Sequence, residues 1–375
     1  MQVSHTGRAG QALQMAHWLG SQDQLRSEAR PGAEDADADA DAEKNLKRRR
    51  KGMNSIYCDL LVKNSSQLST PRPPTMDSTA ALRWARRTLK AFEGLGHSPW
   101  LHEEVAKRMQ ERLAFIKLQP SMWVAWEPLR SGLAGVRKIQ ARYPQAQCHA
   151  VATQSSELRL AEQALRRPWW QLARWIRPMF FSEQLPDKPA QMLWANMLLH
   201  QSADPEALIA QWHRALAVDG FVMFSCLGPD TLRELRSAYE SVGWAAPAHE
   251  FTDMHDWGDM LVQAGFAEPV MDMERITLTY ESPERLLNEL RELGRNLSVH
   301  RRHGLRGQRW LAQLKNLLAT LAKPDHQGRL VLTFEIIYGH ALKPQPRVKL
   351  QAVSEIGLDA MRAMLRQNPR IECKA

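Results

Sequence analysis

Arginines and histidines crowd one short stretch late in the chain. His300, Arg301, Arg302, His303, Arg306 and Arg309 fall within ten residues of one another. A guanidinium presents donors in a fixed fork that matches carboxylates and phosphates. The stretch therefore suits recognition of an anion, or else it is a plain solvated face, the common fate of charged runs. A second group is His249, Glu250, Asp253, His255 and Asp256. Its donor types are those of a metal site. Its spacing matches no ligand motif, and Thr252-Asp253 reads as a helix start, so no metal is expected. Trp169, Trp170 and Trp175, interleaved with Arg166, Arg167, Arg174 and Arg177, could stack nucleic-acid bases. Aromatic rings more often pack as a lid or as core filler. No Ser/His/Asp or Cys/His constellation is present, and no catalytic residue can be named.

The elements that must position these groups start well inside the chain. The 375 residues are 44% hydrophobic and 24% charged, with a net charge of +9. That is ordinary globular composition with room for one large domain and tails. The excess charge suits an acidic partner without naming one. Cys58, Cys148, Cys226 and Cys373 are isolated, which supports neither a disulfide framework nor a zinc ribbon. With no apolar run of spanning length and no signal-like start, the expectation is a cytoplasmic protein with no membrane contact. Residues 1–75 carry an acidic run, Glu34–Glu43, a basic run, Lys47–Lys51, and a Pro-rich stretch at Pro71–Pro74. Like-charge blocks bury nothing, so a disordered tail is expected. Nucleic-acid contact by the basic run is the weaker reading. Met76 opens the first patterned segment and is a plausible translation start.

From Met76 the pattern is helical. Leu82, Trp84, Ala85, Leu89 and Phe92 recur at helical spacing, and Gly94 and Gly96 stop the helix. A second helix is expected over Leu101–Leu118, ended by Pro120. Strands and helices then alternate. Strands are expected at Met122–Trp126, Gln147–Ala152, Met179–Phe181, Gln191–Leu199 and Phe221–Cys226. Helices are expected at Leu133–Arg142, Leu158–Leu165 and Ala203–Leu216, with a turn at Asp219-Gly220. Apolar strands separated by helices imply a parallel sheet covered on both faces. Helices follow at Asp230–Val242, Asp253–Ala264, Pro283–Leu293 and Gly307–Leu321. Val270–Tyr280 and Arg329–Tyr338 alternate apolar and polar residues, which suggests antiparallel edge strands. The domains expected are thus 1–75, 76–342 and a C-terminal extension, 343–375. The fold class is α/β: a doubly wound, mostly parallel, Rossmann-like sheet with an antiparallel C-terminal pair.

Leu193–Leu235, His249–Tyr280, Arg301–Trp310 and Trp100–Met109 together resemble the malonyl-acyl-carrier-protein O-methyltransferases of biotin synthesis. Gly228-Pro229-Asp230-Thr231-Leu232 after a strand, with the later Asp253-Met254-His255-Asp256, carries much of the likeness. The resemblance implies a seven-stranded class I methyltransferase sheet, with ligands above the carboxyl ends of its strands. It implies S-adenosylmethionine as cofactor, acyl carrier protein as partner, and methylation of malonyl's free carboxylate. It places Trp126, Glu127, Gly132, Asn196 and Met197 at the cofactor and Arg301, Arg302 and Arg306 at the substrate. The sequence departs from the family at the first strand's glycine turn, where Glu127, Leu129 and Ser131 stand on the three glycine positions. Ala152 replaces the acid that ends the second strand, and Gln191 replaces an aspartate near the fourth. These departures lead to an expectation of weak or absent cofactor binding, unless Glu127 itself becomes the new partner and Gly132 and Gly135 supply the turn. The alternative function is a non-catalytic methyltransferase-fold protein that binds a protein partner.

Overall fold

The computed structural model describes residues 76–95, 98–166, 177–302, 304 and 306–346, with backbone alone for 88–95. The expected tail, 1–75, lies outside the described residues, as do most of 343–375, the Trp169/Trp170/Trp175 group with Arg167 and Arg174, and His303.

Two helices lead in: α1 (Ser78–Leu95) and α2 (Trp100–Arg112). The second is shorter than the expected Leu101–Leu118. After Arg112 the chain tightens into one 3-10 turn, Leu113–Phe115, and Ile116 is extended. Val105, Met109 and Leu113 are fully buried, as their spacing predicts, but Leu82 on α1 is 63% exposed while Trp84 is buried.

The sheet is built from β1 (Met122–Trp126), β2 (Gln147–Val151), β3 (Met179–Ser182), β4 (Ala190–Ala195), β5 (Leu216–Leu227), β6 (Ala267–Tyr280), the two-residue β7 (Ala322–Lys323) and β8 (Arg329–Leu342). Its order is β3-β2-β1-β4-β5-β8-β6, with β7 paired to β8. The first five strands run parallel; β8 runs antiparallel between β5 and β6. Of the two strands expected at the edge, only β6 is there. Strand order, not strand direction, reverses at β1: the chain steps outward to β2 and β3 on one side and to β4 and β5 on the other, which leaves a crevice above the carboxyl ends of β1 and β4.

Helices cover both faces: α3 (Pro128–Ser131), α4 (Leu133–Arg142), α5 (Ser155–Leu165), α6 (Pro205–Ala215), α7 (Arg233–Ser241), α8 (Met254–Gln263), α9 (Pro283–Leu293) and α10 (Gln308–Ala319). Alternate residues along each strand point to opposite faces, and two cores result. Trp123, Ala125, Trp194, Phe221 and Met223 join Val105 and Met109 on one face. Val124, Trp126, Leu193, Phe224 and Cys226 join Trp212 and Trp257 on the other. Each tryptophan ring removes about 150–250 Å² from water, an upper-bound gain of about 4–6 kcal/mol.

The turn expected at Asp219-Gly220 is instead an irregularity inside β5. The register steps from Ala190↔Leu216 to Met192↔Phe221, and Asp219 takes φ 62°. Lys343 bonds this step from the other side, its amide donating to the Gly220 carbonyl at 2.8 Å. A Cβ on Gly220 would come within 3.0 Å of the Ala190 carbonyl oxygen, so only glycine allows the strands to close there. Among the described residues no helix is long and apolar enough to cross a membrane.

Candidate functional site

The crevice begins where β1 ends. Glu127 stands at the first glycine position and adopts the left-handed conformation that position requires, φ 49° and ψ 58°. Its amide still donates to the Val151 carbonyl at 2.7 Å, so the backbone remains tied to β2 while the side chain turns across the strand ends. Oε1 accepts from the Thr153 amide at 3.1 Å and the Thr153 hydroxyl at 2.9 Å. Oε2 lies 3.4 Å from the Arg130 guanidinium. The acid missing from Ala152 is thereby delivered to the end of β2 from β1.

Glu157, on α5, is fully buried beside Glu127. Burial first, and then the negative charge of Glu127, push its pKa well above the usual carboxylate value. Burial opposes ionisation of Glu127 too, but Arg130, Glu157 and Thr153 together outweigh it and hold that pKa low. The two shifts run in opposite directions, so of the pair Glu157 is the one that keeps a proton to higher pH.

The rest of the glycine turn has become a helical one. Leu129 and Ser131 sit in α3 and are buried. Gly132 does supply a turn, at φ 106°. Gly135 does not: it lies within α4, where its missing side chain admits Ala106 of α2, and an added Cβ would meet that methyl at 2.5 Å. The free amides at the start of α4 are capped by Glu103, whose carboxylate accepts from Ala134 at 3.0 Å and Gly135 at 3.3 Å. Gln191 lies at the opposite, amino end of β4, where its side chain accepts from the Ser121 hydroxyl at 2.9 Å. Its replacement of an aspartate thus changes nothing in the crevice.

Asn196 and Met197 follow β4, and Met197 is left-handed at φ 56°. The Asn196 amide nitrogen donates to the carbonyls of His102, at 2.9 Å, and Ser131, and its oxygen accepts from Ser225 at 2.7 Å. It is the knot between α2, α3 and β5 rather than a free ligand. Trp126 packs edge-on against Trp212, centroids 6.4 Å apart. All five residues expected at the cofactor are brought to one end of the sheet, and all five are buried.

The N-terminal helices cover them. Trp84 of α1 donates to Gln201 at 3.1 Å, and Arg130 donates to the same oxygen at 3.1 Å. Ser98 donates to the Leu129 carbonyl, and the His102 ring bonds the Arg130 carbonyl at 2.7 Å. His200 follows β4, and the His249 ring bonds its carbonyl at 3.0 Å. All three histidines are buried and neutral. Burial lowers His102 to about 4, and burial with neighbouring positive charge takes His200 well below its ordinary value. Burial lowers His249 as well, against the hydrogen bond to His200.

The His249, Glu250, Asp253, His255 and Asp256 group is dispersed. His249 faces His200, Asp253 caps α8 through the Met254 amide, and Glu250 and His255 point to solvent. Among the described residues no cluster of three or more such groups could hold a metal ion. The expected substrate arginines divide as well. Arg301 is paired with Asp77 at 2.6 Å, fastening the start of α1. The Arg306 guanidinium stacks 3.9 Å above Trp310. Arg302 and Arg309 are exposed. Sequence reasoning missed Arg130, Thr153, Glu157 and Gln201. Only Arg130 left a local signal, three residues after Glu127 on one helical turn.

No family model matches the chain. Individual relatives do. A malonyl-[acyl-carrier protein] O-methyltransferase of Gallionella capsiferriformans is 41% identical over 267 residues, covering 69% of this chain and 89% of the relative. One of Laribacter hongkongensis is 38% identical over 262 residues, covering 67% and 86%. One of Nitrosospira multiformis is 36% identical over 285 residues, covering 71% and 91%.

Proposed function

Because the chain belongs to the malonyl-[acyl-carrier protein] O-methyltransferase family, we propose that it methylates the free carboxylate of a malonyl group carried on acyl carrier protein, with S-adenosylmethionine as donor. The observation that carries this reading is the Glu127 carboxylate at the end of β2. It sits where an acid is needed to accept from ribose hydroxyls, and it is held ionised. The buried Ser131 hydroxyl, at another glycine position, has no partner and adds unspent hydrogen-bonding capacity beside it. In chemistry the donor set fits a nucleoside: Glu127 for the ribose, with the backbone of Trp126 and Gly132 and the Met197 turn lining the same end.

The bound cofactor would supply a methyl group on an electron-poor sulfur. The chain has little acid–base work to do, since malonyl's carboxylate is already ionised at pH 7. What remains is to hold one carboxylate oxygen in line and to exclude water. Trp84, Gln201 and Arg130 close the crevice from above. Arg130 is the cation already holding a carboxylate there, and it suits the substrate's carboxylate equally. Arg302 remains available for the carrier or its substrate; Arg301 and Arg306 are committed to Asp77 and Trp310.

A second reading, a partner-binding protein without catalysis, draws on the burial of all five cofactor candidates and on the Asn196 amide being spent on protein groups. Calorimetric titration with S-adenosylhomocysteine separates the two. Saturable binding, lost in Glu127→Ala while its far-UV spectrum stays that of the folded protein, supports the methyltransferase. Absence of binding by the full chain leaves the partner-binding reading.

A further inference from the structure

We propose that the outer face of α1, together with the C-terminal turn of α9 and the residue beyond it, is the docking surface for the acidic carrier protein. The inference rests on the methyltransferase reading and names where its macromolecular substrate arrives. Arg83, Arg86 and Arg87 are exposed on α1, and their spacing places them on one face. Arg291 and Arg295 are exposed at the end of α9 and just after it. Arg295 joins the two groups, its guanidinium 5.0 Å from the Trp84 ring. Partial cover of the guanidinium and then the positive charges of Arg291 and Arg87 lower the Arg295 pKa, so the three cations lie close enough to repel.

Nearby arginines are neutralised: Arg285 pairs with Glu289 at 3.0 Å and Arg301 with Asp77 at 2.6 Å. No ion pair joins the five to a described acidic side chain. Within the basic face stands Leu82, 63% exposed and one helical turn from Arg86. It offers a protein partner one apolar contact within the basic face. A polyanionic nucleic acid would use the arginines and leave Leu82 in water. A helix with acidic flanks and an apolar residue between them would satisfy both.

Position supports the same partner. The inner side of this helix holds Gln201 through Trp84, and Gln201 holds Arg130 over the crevice. A carrier delivers its acyl group on a flexible arm, so it must dock beside the crevice rather than in it. Like-signed patches steer opposite charge and set the association rate. Docking on the helix that closes the crevice would also bear directly on its opening.

The test uses the full chain and purified holo-acyl carrier protein. Wild type should bind it, more weakly as salt rises. The triple variant Arg83→Glu, Arg87→Glu, Arg291→Glu spares Arg295, which packs on Trp84. It should lose at least about tenfold in affinity at physiological salt and most of the salt dependence. Glutamine at the same three positions should lose less. Melting temperature and turnover of the small thioester malonyl-pantetheine should be unchanged. Unaltered carrier affinity in the triple variant, with wild type binding normally, overturns the docking surface and leaves the function standing. A wild type that turns over neither carrier-bound nor pantetheine-bound malonyl removes the function and the surface with it. Duplex DNA bound more tightly than the carrier, through the same arginines, overturns the assignment in favour of nucleic acid.

Discussion

One oxygen of Glu127 accepts both the amide of Thr153, at 3.1 Å, and its hydroxyl, at 2.9 Å, and so joins the ends of two parallel strands. The contact needs a left-handed residue at position 127, which an L side chain adopts at a cost of order 1 kcal/mol. Two hydrogen bonds to a carboxylate, each worth about 1.5–3 kcal/mol, exceed that cost. The strain is thus retained because the side chain, not the turn, is what the position provides.

Beside this contact the Glu157 pKa is raised, and the sign of its effect follows. Its folded pKa is raised above 4.5 by burial and by Glu127. The folded state therefore binds more protons than the unfolded one, and stability falls as pH rises above that ordinary value. The slope approaches about 1.4 kcal/mol per pH unit until the folded pKa is passed. Glu157→Gln removes this titration. In urea denaturation the variant should gain on wild type steadily from pH 5 upward, and equal midpoint differences at pH 5 and pH 8 would contradict the assignment.

Much of the sheet could be read beforehand because its strands announce themselves. Phe221–Cys226 and Met122–Trp126 are apolar throughout, since both of their faces are buried. The alternation of Arg329–Tyr338 correctly signalled an antiparallel strand, but not its place between β5 and β6. Its burial on both sides comes from its neighbours, which local pattern does not encode. The glycine-turn residues could also be aligned, yet their meaning could not. Glu127 looked like an obstruction because its carboxylate's destination, Thr153, is 26 residues away. The arginine group at 301–309 shows the reverse error: close in sequence, Arg301 and Arg306 turn to Asp77 and Trp310, in different directions.

Asn196→Ala should destabilise the protein by about 2–4 kcal/mol. Three buried hydrogen bonds are lost, and the His102 and Ser131 carbonyls and the Ser225 hydroxyl are left without that partner. The check is thermal or urea denaturation with a far-UV spectrum confirming the fold. A change below about 0.5 kcal/mol, the level of an ordinary surface substitution, would mean that the knot is not formed.

Arg301→Ala should loosen α1 without unfolding the sheet. The Arg301–Asp77 pair and the bridge between Met76 and Ser298 hold the helix start. Hydrogen exchange over residues 78–84 should quicken, while β1 and β4 keep their protection. If that segment exchanges as slowly as in wild type, the anchor lies elsewhere.

Acid should weaken the lid before it weakens the core. His102, His200 and His249 are buried and neutral, and the cations facing them, Arg130 for the first two and Arg236 for the third, oppose their charging. Their folded pKa values are depressed, so between the ordinary 6.5 and the folded value the unfolded chain binds more protons. Stability therefore falls as pH falls through that window. For His102, lowered to about 4, the loss from pH 7 to pH 5 is about 2 kcal/mol. Glu157 pulls the other way over the same range, so wild type alone shows a muted slope. The two contributions separate by substitution. His102→Gln keeps a donor for the Arg130 carbonyl, which the ring bonds at 2.7 Å, but cannot titrate. Its unfolding free energy should fall less steeply than wild type between pH 7 and pH 5, by roughly the value of one bound proton, and Glu157→Gln should fall more steeply. Parallel curves for wild type and His102→Gln would show that His102 takes up its proton as readily in the folded protein as in the unfolded chain, and that burial does not depress its pKa.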